Sequence, residues 1–235
     1  MATFVLVHGA WHGSWCWKRV RPALQAAGHS VFTPTLTGVG ERVHLNAPTV
    51  DLQTHVADVV NLLKWEELTD VVLCGHSYGG CVVKSVVAQV PERIRRLVYL
   101  DAFVPDAGRS LHDMLPPDQR GLQLELTQSV GEGWKVPPIP AEVFNVNAAD
   151  RAWVDRQCTM QSIATFQQGV GEGELRGDPR HTSYLLATGW GPSPFAQFHD
   201  RAKAKGWTSA TIDCGHDVML DRPAEFVRFM EQCAN

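Results

Sequence analysis

Ser77 stands at the centre of Gly75-His76-Ser77-Tyr78-Gly79, between the apolar run Val71-Val-Leu-Cys74 and the run Cys81-Val-Val-Lys-Ser-Val-Val-Ala88. A strand that turns into a helix within so few residues strains its middle residue and needs small neighbours, here Gly75 and Gly79. Such a turn lifts the Ser77 hydroxyl above the C-terminal edge of a sheet, beside the N–H groups of a helix start. The bare pentapeptide also fits a glycine-rich turn with a capping serine, but its setting between strand and helix favours a nucleophile. A serine hydroxyl reacts poorly near neutral pH without a base. Of the ten histidines, His216 is the best placed, in Thr211-Ile-Asp-Cys-Gly215-His216-Asp217, after the last expected strand and before the final helix. A loop there opens on the same sheet edge as Ser77. His76 is fixed by the turn with its side chain directed away from the serine, so it packs. Acyl transfer builds negative charge on a carbonyl oxygen, which two aimed N–H groups stabilise. One is expected from Tyr78, next to the nucleophile. The other is expected from the turn His8-Gly-Ala-Trp-His12-Gly13, with Ala10 or Trp11 as donor.

These residues need a sheet whose strand ends share one edge. Six short strand-like runs are expected: 3–7, 30–33, 71–74, 97–100, 182–187 and 210–213. Between most of them lie apolar residues three or four apart, as in Trp17, Val20, Leu24 and Ala27, and in Leu52, Val56, Val59, Val60 and Leu63. This alternation predicts an α/β fold with a mostly parallel six-stranded sheet flanked by helices. Asp221, Pro223, Phe226, Val227 and Met230 predict a capped helix that closes it. Between Leu100 and Thr182 the alternation breaks for far longer than an ordinary connection. That stretch is rich in Pro and Gly yet carries Met114, Trp134, Phe144, Trp153, Met160 and Phe166, so residues 106–180 are expected to form an inserted helical cap within a single domain, 1–235. Gly169-Val-Gly-Glu-Gly173 follows no strand and lacks nucleotide-loop spacing, which makes it a turn.

The chain resembles the α/β-hydrolase superfamily, in particular the small esterase branch that includes plant methyl-ester esterases and hydroxynitrile lyases. The resemblance rests on Phe4-Val-Leu-Val-His-Gly-Ala-Trp11, Ala27-Gly28-His29, Gly75-His-Ser-Tyr-Gly-Gly80, Leu100-Asp-Ala-Phe-Val-Pro105 and Gly215-His216. It implies a compact cap over the active site and ester cleavage with neither metal nor organic cofactor. It also implies a catalytic acid after the penultimate strand, but Tyr184-Leu-Leu-Ala-Thr-Gly-Trp-Gly191 offers no carboxylate. Asp101, at the end of the strand after the serine turn, occupies a place where haloalkane dehalogenases of the superfamily can carry their acid. A carboxylate there could reach the far nitrogen of His216. Asp178, Asp106 and Asp213 are the other candidates.

The expected function is a carboxylesterase-type serine hydrolase with Ser77, His216 and Asp101 as its triad and a small-molecule ester as substrate. The alternatives are a lyase-like or C–C bond hydrolase on the same scaffold, or a non-catalytic binder. The lyases carry a lysine directly after the catalytic histidine, where this chain has Asp217. Composition excludes other classes. The 235 residues are 44% hydrophobic and 20% charged, ordinary globular usage, and a net charge of −4 without basic blocks leaves no footprint for nucleic acid. With no apolar stretch of spanning length and six cysteines that form no CxxC pair, no membrane association is expected and the expected compartment is the cytoplasm. A homodimer is left open.

Overall fold

The computed structural model describes residues 1–191 and 193–234. Six strands form one sheet in which every neighbouring pair is parallel. They are β1 (Thr3–Val7), β2 (Ser30–Phe32), β3 (Val71–His76), β4 (Ile94–Leu100), β7 (Thr182–Ala187) and β8 (Thr208–Ile212), in the order β2-β1-β3-β4-β7-β8. β3 and β7 are buried along their whole length, as expected where helices cover both faces and strands become continuous apolar runs.

Helix α1 (Val20–Ala26) packs against the last helix, α10 (Pro223–Ala234), where Trp17 stacks on Phe226. Helices α2 (Leu52–Trp65) and α3 (Gly79–Gln89) pack together. The expected stripe Leu52, Val56, Val59, Val60 and Leu63 is the buried face of α2. Asp51 starts that helix by accepting from the Thr54 N–H at 2.8 Å. Asp221, expected to cap the final helix, ends the short helix α9 (Val218–Asp221), and its carboxylate accepts from the side chain of Asn147 at 2.8 Å.

Between β4 and β7 lie α4 (Leu111–Met114), α5 (Pro117–Ser129), α6 (Arg151–Gln157) and α7 (Ala164–Gln167). A two-residue antiparallel pair, β5 (Lys135–Val136) and β6 (Gln161–Ser162), joins this segment internally. The glycine run lies on α3, with Gly171 N–H donating to Ser85 Oγ at 3.0 Å. Helix α8 (Ala196–Ala204) links β7 to β8. No helix among the described residues is long and apolar enough to cross a membrane.

From β1 the chain moves outward to β2, then returns to place β3 on the other side of β1. Loops leaving β1 and β3 therefore diverge, and the crevice between them is where an open parallel sheet binds ligands.

Candidate active site

Ser77 sits at the end of β3 with φ +53°, the left-handed region that costs a residue with a Cβ about 1–3 kcal/mol. Three backbone bonds hold it there: its N–H donates to Leu100 O, and its carbonyl accepts from Gly80 and Phe103. A Cβ on Gly75 would lie 2.5 Å from Gly79 O, and one on Gly79 would lie 2.7 Å from His8 O. The turn is thus so tight that both flanking positions must be glycine.

Asp101 and His216 leave β4 and the β8 end of the sheet and meet 115 residues apart, with His216 Nδ1 donating to Asp101 Oδ2 at 2.6 Å. Both are buried. Asp101 itself has φ +40°, and its carboxylate takes two further donors: Ala187 N–H at 3.1 Å on Oδ1 and the Trp190 indole at 3.0 Å on Oδ2. The carboxylate is held from three directions. With Nδ1 committed as donor, the neutral imidazole presents Nε2 as its acceptor. The ring is flanked by Phe195, stacked at 5.1 Å and 8°, and by Trp190 and Phe144 at 4.9 Å each.

The first loop departs from expectation at one donor. The Trp11 N–H is taken by Gln161 Oε1 at 2.9 Å, so of the two candidate donors only Ala10 keeps a free amide. Among the described residues the Ala10 and Tyr78 amides have no protein acceptor. Tyr78 is anchored from behind: its hydroxyl donates to His55 Nδ1 at 2.9 Å, while His55 Nε2–H donates to Thr37 O at 2.8 Å. Burial holds His55 neutral, with its pKa lowered to about 4. His8 is likewise lowered to about 3 by burial, donating from Nδ1 to Gly9 O and accepting the Leu36 N–H on Nε2.

A second buried pair lies behind the first. His12 Nε2 donates to Asp217 Oδ2 at 3.2 Å and His12 Nδ1 donates to Ala10 O at 2.7 Å. Burial alone would disfavour both charges; their mutual attraction outweighs it, raising His12 and holding Asp217 well below the usual carboxylate range. His76 packs 4.4 Å from the His216 ring and donates from Nε2 to His216 O at 3.1 Å, and burial followed by the neighbouring His216 keeps it neutral.

Ser77, His216, Ala10, Trp11 and Tyr78 line one cavity of about 500 Å³. Its walls include Phe103, Phe166 and Phe195, and no Asp, Glu, Lys or Arg faces it among the described residues.

Comparison with known proteins agrees with this architecture. Residues 4–229 match the model of the Alpha/beta hydrolase family. The chain belongs to the alpha/beta hydrolase family. This hydrolase is 46% identical over 236 residues to a carbendazim hydrolyzing esterase of Nocardioides sp. (strain SG-4G), with 96% of each chain covered. It is 37% identical over 118 residues to Methylesterase 1 of Arabidopsis thaliana, covering 46% of this chain and 41% of that one. Among solved structures, an extracellular alpha/beta-hydrolase from a Paenibacillus species superposes with a TM-score of 0.85 over 99% of each chain at 24% identity.

Two residues at this hydrolase's site escape sequence reasoning. Trp190 stands in the stretch after β7 that lacks a carboxylate, and there it supplies a donor to the Asp101 carboxylate just past β4. Gln161 is a polar residue in a two-residue strand, and only the folded chain brings it to the first loop. Neither carries a local signal, because each acts on a partner about 90 or more residues distant.

Proposed function

We propose that this chain cleaves small neutral carboxylic esters through a Ser77 acyl-enzyme. The observation that carries the reading is the buried 2.6 Å bond between His216 Nδ1 and Asp101 at the edge of the cavity that also holds Ser77. Ser77 attacks the ester carbonyl while His216 Nε2 takes the hydroxyl proton, then returns it to the departing alcohol. Asp101 fixes the tautomer and stabilises the imidazolium. The Ala10 and Tyr78 amides receive the charge that develops on the carbonyl oxygen. Water, deprotonated by the same histidine, releases the acid.

Residues 106–180 act as the cap that supplies the apolar wall. A cavity without charged side chains favours uncharged substrates, since burying an unpaired ion there is costly. The esterase relative that matches nearly the whole chain supports the reaction class. Lyase chemistry wants a cation at the site; the residue after His216 is Asp217, fully buried and paired with His12. All six cysteines are free thiols, which supports a reducing compartment such as the cytoplasm.

The test is a panel of short-chain, aryl and methyl esters together with a serine-directed phosphonate. Wild type hydrolyses part of the panel and gains the phosphonate mass on the Ser77 peptide, and Ser77→Ala loses both. Hydrolysis that survives in Ser77→Ala would sink the reading by placing the nucleophile elsewhere, and a folded protein that neither turns over nor labels would sink it in favour of a binder.

A further inference from the structure

Trp11 has φ +65°, a conformation that bulky residues rarely adopt, and each of its three polar backbone and side-chain groups is held by the segment inserted between β4 and β7. Its N–H donates to Gln161 Oε1 at 2.9 Å, its indole N–H to Val136 O at 3.1 Å, and its carbonyl accepts from Thr159 N–H at 3.0 Å. Val136 and Gln161 face each other in the β5–β6 pair, so two of the anchors belong to one small rigid unit. The Gln161 side chain is buried and oriented, because its Nε2 donates to Thr165 Oγ1 at 2.8 Å, leaving Oε1 for Trp11. The peptide joining Ala10 to Trp11 is pinned at both ends: His12 holds its carbonyl and Gln161 its N–H. The Ala10 N–H, the group assigned to the oxyanion, belongs to the preceding Gly9–Ala10 peptide, whose carbonyl accepts from His8 Nδ1 at 2.8 Å, so only the φ and ψ of Ala10 lie between two held planes.

We propose that Gln161 is a positioning residue for ester hydrolysis, latching the first loop so that the Ala10 N–H stays aimed at the developing oxyanion. The inference rests on the serine-hydrolase reading above. A misaimed donor weakens binding of the transition state while leaving the ground-state ester almost unaffected, so the loss falls on kcat rather than KM.

The experiment compares wild type with Gln161→Leu and Gln161→Asn, with turnover normalised to Ser77 sites labelled by phosphonate at completion. Normalisation removes any loss caused by misfolding. The Leu variant has no acceptor, and the Asn variant withdraws it by one methylene. Expected are a kcat per labelled site at least about tenfold lower in the Leu and Asn variants and KM within about threefold, since a lost oxyanion donor costs about 10²–10³. A smaller kcat loss in both, or a loss confined to the number of labelled sites, overturns the latch. An active, labelled wild type in that case leaves the serine-hydrolase reading intact, whereas a wild type that neither turns over nor labels removes both.

Discussion

At the residue scale the site depends on how Asp101 is supported. A carboxylate in a buried setting keeps its charge only if donors surround it, and here an imidazole, a backbone N–H and an indole N–H do so. Asp101→Asn keeps the shape but offers His216 an ambiguous partner, and its kcat is expected to fall about 10⁴-fold, the loss seen when a triad acid is neutralised. A loss under about tenfold would move the role to another carboxylate. Trp190→Phe keeps an aromatic wall and removes one donor to a charged acceptor, a bond of about 1.5–3 kcal/mol. Only part of that reaches the transition state, so the expected result is a kcat about tenfold lower with KM almost unchanged, read from steady-state kinetics. Loss as deep as in Asp101→Asn would contradict a supporting role. Ser77 and Asp101 stand out in the sequence because each follows an apolar run that becomes a strand, and His216 because it follows the last strand, the more polar Thr208–Ile212. Their supports do not, since the Trp11 amide is spent on Gln161 and the indole of Trp190 serves a strand neighbour, and neither pairing has a sequence spacing.

At the scale of elements, legibility followed burial. Strands 3–7 and 182–187 match β1 and β7 residue for residue because they are buried apolar runs. β4 begins three residues before the expected Leu97, at Ile94. Arg95 and Arg96 interrupt its apolar run, and both reach carbonyls at the end of α10, Arg96 at 3.2 Å from Cys233 O. β3 likewise runs on through Gly75 and His76, which continue the ladder beside β4 although neither has strand propensity. The inserted segment was visible only as a break in rhythm, since its strands are two residues long and its longest helix, α5, has just Thr127 buried. Leu122 and Leu126 of α5, one helical turn apart, nevertheless line the cavity. Leu122 is 56% exposed, so it contributes little to folding while forming part of the apolar wall. Leu122→Asp is therefore expected to raise KM for an apolar ester by roughly 5–30-fold, corresponding to about 1–2 kcal/mol of lost apolar contact. Its Tm should stay within about 2 °C of wild type, as for other exposed substitutions. A Tm drop larger than that, with KM unchanged, would make α5 a structural element rather than a cavity wall.

For the molecule as a whole, the same buried histidines that shape the site set its response to acid. His8 after β1, His55 on α2 and His76 at the end of β3 are all held neutral by burial, at about 3, about 4 and well below the ordinary value. In the unfolded chain each would titrate near 6.5. The unfolded state therefore binds more protons below pH 6.5, and stability falls as pH drops, by up to about 1.4 kcal/mol per pH unit for each histidine. His12 works the other way: raised by Asp217, it stabilises the fold below about pH 6.5 and that contribution fades as pH rises through its folded value. Below about pH 5.5 it is charged in both states and adds almost nothing to the slope. Asp217, held low, adds its own loss as pH falls below about 5, into the ordinary carboxylate range. The sum over three neutral histidines is an uptake of about two to three protons on unfolding at pH 5.5. Urea unfolding followed at closely spaced pH values gives that number from the slope of free energy against pH. An uptake below one proton would mean that these imidazoles are already charged in the folded protein, where His8 Nε2 could no longer accept the Leu36 N–H and His55 Nδ1 would donate to the Tyr78 hydroxyl instead of accepting from it.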